Sequence, residues 1–263
     1  MELEIIDFIL LVLGRLVEVI TILLMVVIDI TSKKRVLSTL FFAILFYLWY
    51  TKIMFFGVIL MDKFEYKKSL GQNFLKDENI VNKIVDSALI DDDTLVIEIG
   101  PGQGAISKLI VPKAKFTILY EIDNRLEGYL NNLLKDSNNY KIIMNDFLKE
   151  DVRSEIQNYD YKKLYVVANL PYYITTPIVS KFIDDGIFPD KIVVMVQKEV
   201  ALRYAAKPNS RDYGALTVFL NYYYNIKKLF NVDKRCFIPV PGVDSAVVCM
   251  ELKKDRLPVN DIK

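Results

Sequence analysis

Asn169-Leu170-Pro171-Tyr172 places an amide, a turn-forming imino acid and a flat aromatic ring within four residues. Those are the parts needed to make an aromatic amine nucleophilic. The exocyclic nitrogen of adenine or cytosine delocalises its lone pair into the ring, so a site that alkylates it must accept hydrogen bonds from the NH2. An asparagine carbonyl can accept one, and a proline forces a turn that leaves backbone carbonyls to accept another. A tyrosine face can stack the base. The same string also makes a plain strand end, with Asn as a local cap and Tyr as packing, and alone it fits both readings.

The chain has no histidine, and Cys236 and Cys249 form no CxxC pair. This argues against a zinc site of the usual Cys/His kind and against Ser-His-Asp or Cys-His mechanisms. Methyl transfer from a sulfonium satisfies the restriction, because the leaving group needs no protonation and the amine can lose its proton after attack.

Such residues must be held by a scaffold. From residue 78 onward, helical and strand patterns alternate. Ile80, Val81, Ile84, Val85, Ala88 and Leu89 recur at helical spacing, with Asp91-Asp92-Asp93 closing that helix, and residues 95–99 read as a buried strand. Further strands are predicted at 116–120, 140–144, 164–168 and 192–196, with helices over 124–134 and 177–184. Residues 245–252 suit an edge hairpin with 226–232. The alternation predicts a parallel sheet covered on both faces.

Ligands in such sheets bind at the carboxyl ends of the strands. Gly100-Pro101-Gly102-Gln103-Gly104 follows the first strand, Glu121 ends the second, Asp146 the third and Asn169 the fourth. The glycines allow a tight turn and a close backbone approach, Glu121 can accept both hydroxyls of a ribose, and Asp146 is placed to meet an adenine amino group. Each has a bland reading as a turn or a helix cap. Four at successive strand ends point to a nucleoside cofactor, and GxGxG spacing in place of GxGxxG disfavours a dinucleotide.

Composition divides the chain. It has 263 residues, 52% hydrophobic, with a mean hydropathy of +0.24. Residues 1–60 hold only five basic and five acidic residues, and the stretches 8–28 and 36–60 are each long enough for a membrane-spanning helix. Lys33-Lys34-Arg35 separates them, while Lys63, Lys67 and Lys68 leave the orientation open. Either residues 1–60 are an apolar helical membrane anchor, or Met61 is the true start. The remaining residues balance to +1, which argues against a strong nonspecific grip on nucleic acid but allows a local basic face.

Five ordered motifs now carry a resemblance: Ser69-Leu70-Gly71-Gln72-Asn73-Phe74-Leu75, Glu98-Ile99-Gly100-Pro101-Gly102, Asn169-Leu170-Pro171-Tyr172, Gln197-Lys198-Glu199-Val200 and Phe237-Ile238-Pro239-Val240-Pro241-Gly242-Val243-Asp244-Ser245. Together they resemble the KsgA (RsmA) family of small-subunit rRNA adenine N6-dimethyltransferases, over about residues 67–252. The resemblance implies an α/β, Rossmann-like class I methyltransferase fold with a mostly parallel seven-stranded sheet over 61–253. It also implies S-adenosylmethionine as cofactor, and dimethylation of two adjacent adenosines in the 3′-terminal hairpin loop of 16S rRNA during small-subunit biogenesis.

By motif, Asn73, Leu75, Gly100, Glu121, Asp146 and Asn169 would bind the cofactor. Asn169, Leu170, Pro171 and Tyr172 would act on the target, with Tyr172 and Phe237 sandwiching the extruded base. The expected partner is 16S rRNA in the small subunit. The protein is expected to be a cytoplasmic monomer, with membrane contact only through residues 1–60. Residues 254–263 would begin a truncated helical domain. The competing readings are an Erm-type 23S rRNA adenine N6-methyltransferase, which lacks the same support from Leu170, 197–200 and Asp244-Ser245, and a non-catalytic 30S assembly checkpoint factor.

Overall fold

A computed structural model of the chain describes residues 71–255, all within one unit, Tyr66–Lys263. The two apolar stretches of residues 1–60, the Ser69-Leu70 start of the first motif and most of 254–263 lie outside the described residues. No helix among the described residues is long and apolar enough to cross a membrane.

In chain order the strands are β1 (Phe74–Leu75), β2 (Thr94–Ile99), β3 (Phe116–Glu121), β4 (Tyr140–Met144), β5 (Lys163–Asn169), β6 (Lys191–Gln197), β7 (Tyr224–Val232), β8 (Phe237–Ile238) and β9 (Ser245–Leu252). The helices between them are α1 (Glu78–Ala88), α2 (Ser107–Ile110), α3 (Glu127–Leu133), α4 (Val152–Ile156), α5 (Thr175–Asp184), α6 (Lys198–Tyr204) and α7 (Ala215–Tyr223). Seven strands form one sheet in the order β4-β3-β2-β5-β6-β9-β7. Every pairing from β4 to β6 is parallel, and β9 is inserted antiparallel between β6 and β7. This is the parallel-sheet α/β architecture that the alternation predicted, and the mostly parallel, seven-stranded, Rossmann-like sheet that the resemblance implied.

β2 is buried along its whole length, as a central parallel strand must be. Its side chains alternate between two apolar layers: Leu95, Ile97 and Ile99 pack with Ile178 and Phe182 of α5 on one face, and Val96 packs with Val81, Ile84 and Val85 of α1 on the other. Asp77 starts α1 by accepting from the amides of Asn79 and Ile80 at 3.0 and 3.3 Å. That helix ends earlier than the aspartates suggested, at Ala88, where Leu89 turns left-handed. Asp91 serves the next turn instead, accepting from the Thr94 hydroxyl at 2.6 Å.

β1 and β8 form a separate two-stranded antiparallel ribbon, with Phe74 opposite Ile238 and Leu75 opposite Phe237. It ties the segment before α1 to the loop before β9.

Candidate active site at the strand ends

The chain builds outward from β2 to β3 and β4, then returns to place β5 and β6 on the other side of β2. The crevice of such a sheet opens where that direction reverses, between β2 and β5. The glycine turn after β2 and the Asn169–Tyr172 turn after β5 therefore stand side by side.

Three glycines of the first turn have positive φ, and each is required for a different reason. A Cβ on Gly104 would lie 2.3 Å from Leu133 Cδ2, and one on Gly102 would lie 2.6 Å from the Phe74 ring. At Gly100 the only atom within range is Pro171 Cδ, at 3.8 Å. The first two glycines are filled by the protein, whereas Gly100 presents bare backbone to the crevice. This is the cradle that a bound nucleoside cofactor needs.

Glu121, 5% exposed at the end of β3, is held by backbone. Its Oε1 accepts from the amides of Ile122 and Asp123, each at 2.9 Å, and its Oε2 accepts from Gly102 at 3.0 Å. Each carboxylate oxygen can accept about two hydrogen bonds, so Oε2 retains a lone pair for a hydroxyl. Burial raises the Glu121 pKa, and the three amides oppose that rise. Beneath the turn, Glu98 is 1% exposed and accepts from the Ser107 hydroxyl at 2.6 Å. Burial, with Glu121 as a nearby like charge, pushes its pKa up to about 8 despite that hydrogen bond, so the fold favours the protonated form of Glu98.

Asn169, at the end of β5, donates its Nδ2 to the carbonyl of Asn73 at 3.1 Å. That contact turns Oδ1 away as an acceptor. The carbonyl of Pro171 accepts from the amide of Ile174 and the hydroxyl of Thr175, at 3.2 and 3.1 Å. Leu170 donates its amide to Met195, and no donor among the described residues reaches its carbonyl. Of these two backbone oxygens, that of Leu170 is the one left open. The Tyr172 hydroxyl lies 2.6 Å from Ser245 Oγ, which fixes the ring at the crevice edge.

The remaining predicted residues fall in different settings. Asp146 follows β4, where Oδ1 caps the next turn through the Leu148 amide at 3.1 Å and Oδ2 lies 3.7 Å from Lys149 Nζ. Leu75 is buried in the apolar layer that α1 covers. Phe237 differs most from its expected place. It is fully buried in the apolar layer with Leu75, Val81 and Val232, where the β1–β8 ribbon pairs it with Leu75. Its ring has no open face for a base in this conformation.

Sequence reasoning passed over Gln72 and Asp123. Gln72 Nε2 donates to Asp123 Oδ2 at 2.7 Å, which pins the first motif across the end of β3. Hydrogen bonds from Arg125 hold Asp123 well below the usual carboxylate pKa. The signal was present as a second acid two residues after Glu121. Tyr173, 58% exposed, lies against Gly71, where a Cβ would come within 3.0 Å of its ring.

A model of the family described as ribosomal RNA adenine dimethylase matches residues 63–263. A curated relative from Bacillus licheniformis, described as ribosomal RNA small subunit methyltransferase A, is 47% identical over 194 residues, covering 73% of this chain and 66% of its own length. One of the same description from Streptococcus pneumoniae is 48% identical over 198 residues, covering 74% and 67%. The chain spans about two thirds of the length of the curated relatives it matches. Among solved structures, a dimethyladenosine transferase from Plasmodium falciparum is 31% identical with a TM-score of 0.62, covering 69% of this chain and 64% of that one. The 23S rRNA methyltransferase ErmE is 27% identical with a TM-score of 0.63, covering 72% and 73%.

Proposed function

The chain belongs to the ribosomal RNA adenine dimethylase family, and on that premise we propose that it dimethylates N6 of two adjacent adenosines in the 3′-terminal hairpin loop of 16S rRNA, using S-adenosylmethionine. On this reading the enzyme acts in the cytoplasm during small-subunit assembly, where its substrate is made. When bound, the cofactor supplies a methyl group on a sulfonium.

Glu121 Oε2 would accept from the cofactor's ribose, Gly100 would approach it with bare backbone, Asp146 Oδ2 would accept from its adenine amino group, and the Asn73–Asn169 pair would close the methionine side. The target adenine leaves its stack and lies on Tyr172, a contact worth about 1–3 kcal/mol. Asn169 Oδ1 and the Leu170 carbonyl accept from the two N6 hydrogens, which favours the pyramidal amine over the conjugated one and aims its lone pair at the methyl. Phe237 supports that loop from beneath.

The observation that carries this reading is the pair of acceptors, Asn169 Oδ1 and Leu170 O, one strand from the Gly100 cradle. Methyl incorporation into purified 30S and 50S particles tests it. Incorporation into 30S alone supports the reading, and incorporation into 50S would replace it with the 23S-directed activity. Asn169→Ala should lower turnover about a hundredfold or more, the usual cost of losing one such transition-state contact; near-normal turnover would remove Asn169 from the mechanism.

A further inference from the structure

A cavity of about 450 Å³ opens on the same edge of the sheet, lined by Gln197, Lys198, Leu202, Lys234, Gly242 and Asp244 among others. Its volume suits a small organic ligand. It lies beside the target rather than over the cofactor cradle: Gln197 stands opposite Ser245 in the β6–β9 register, and Ser245 Oγ is the atom that holds the Tyr172 hydroxyl.

Asp244 builds its walls. The backbone carbonyl accepts from the amide of Lys198 at 3.0 Å, and Oδ1 accepts from the amide of Lys234 at 3.1 Å. One residue thus sets both lysine-bearing segments at the mouth. Neighbouring charges are already matched, Arg235 by Asp233 at 2.8 Å and Glu199 by Arg203 at 3.3 Å. Lys198 and Lys234 have no ion-pair or side-chain hydrogen-bond partner among the described residues. Lys198 and Lys234 outnumber Asp244, the one acid of the lining without an ion-pair partner among the described residues, and with an amide and the apolar Leu202 and Gly242 they suit a base and its phosphate.

We propose that this cavity holds the nucleotide that flanks the target adenosine in the RNA, with Lys198 and Lys234 on its phosphates and Gln197 facing its base. The inference rests on the RNA reading above. It assigns the Gln197–Val200 motif, otherwise without a task, to RNA register: filling the cavity presents one loop adenosine to Tyr172 at a time.

Gly242 offers a clean probe, because a Cβ there meets nothing within 4 Å. With the full chain and a synthetic hairpin RNA bearing two adjacent loop adenosines, Gly242→Asp should raise the RNA KM about tenfold or more, while Gly242→Asn leaves it within twofold. Lys198→Ala with Lys234→Ala should flatten the log-affinity against log-salt slope by about 1.4, the share of two phosphates on a single strand. Lys83→Ala with Lys135→Ala, on α1 and after α3, should not. Calorimetric affinity for S-adenosylmethionine should stay at the wild-type value in all of them. Unchanged KM and slope in the cavity variants, or equal losses in the control pair, overturn the inference while leaving the RNA reading intact. A wild-type chain that neither binds nor methylates the hairpin overturns the reading and the inference with it.

Discussion

Replacing Glu98 with Gln should stabilise the protein at neutral pH and lose that advantage in acid. Glu98 ionises with an ordinary pKa of 4.5 in the unfolded chain and at about 8 when folded. Its raised folded pKa means that its full stabilising contribution is present below 4.5 and is lost as pH rises towards 8, because the unfolded chain gives up the proton first. At about 1.36 kcal/mol per pH unit, the wild type loses about 3 kcal/mol between pH 5.0 and 7.5 that Glu98→Gln does not. Gln keeps the shape and can still accept from Ser107. Any fixed cost of the amide is the same at both pH values and cancels in the difference. For a domain of this size, about 3 kcal/mol is roughly 6–12 °C in melting temperature. Thermal melts of both proteins at pH 5.0 and 7.5 read it directly: the melting-temperature gap, Gln variant minus wild type, should widen by that amount. A gap of equal size at both pH values would mean that Glu98 is ionised in the fold, and that the ground beneath the glycine turn is charged.

Gly100→Ala and Gly102→Ala should part company. Both force a side chain into the left-handed region at about 1–2 kcal/mol, but only Gly102→Ala also drives a Cβ into the Phe74 ring at 2.6 Å. Gly102→Ala is therefore expected to melt lower, while Gly100→Ala shows the larger ratio of lost cofactor affinity to lost stability, read by melts and calorimetry. Tyr172→Phe removes the bond to Ser245 but keeps the ring, so turnover should fall only severalfold. Tyr172→Ala should add the loss of stacking, about 1–3 kcal/mol in RNA binding or turnover. Phe237→Ala should cost about 3–5 kcal/mol of folding stability as a core truncation; a variant that melts like wild type but fails to turn over would restore Phe237 to the base sandwich.

The sheet was legible in the sequence because parallel strands buried on both faces read as near-continuous apolar runs, as β5 and β6 do and as β2 does apart from Glu98. Glu121 and Asn169 were legible for a related reason: a polar residue closing an apolar run marks the strand end where ligands bind. Element ends were less so, since a single left-handed residue, Leu89, stops α1 ahead of the acidic run.

Only the tertiary structure decided how these residues meet. Asn73 reaches Asn169 across 96 positions, Gln72 reaches Asp123 across 51, and Tyr172 reaches Ser245 across 73. Each contact depends on the strand order, and the last also on the antiparallel insertion of β9, which no local pattern encodes. The same holds for Phe237, whose ring a two-residue ribbon carries into the core, and for Glu98, whose proton is retained because folding removes the water that would ionise it. Residue type and spacing named the chemistry; burial and long-range pairing chose which atoms remain open to perform it.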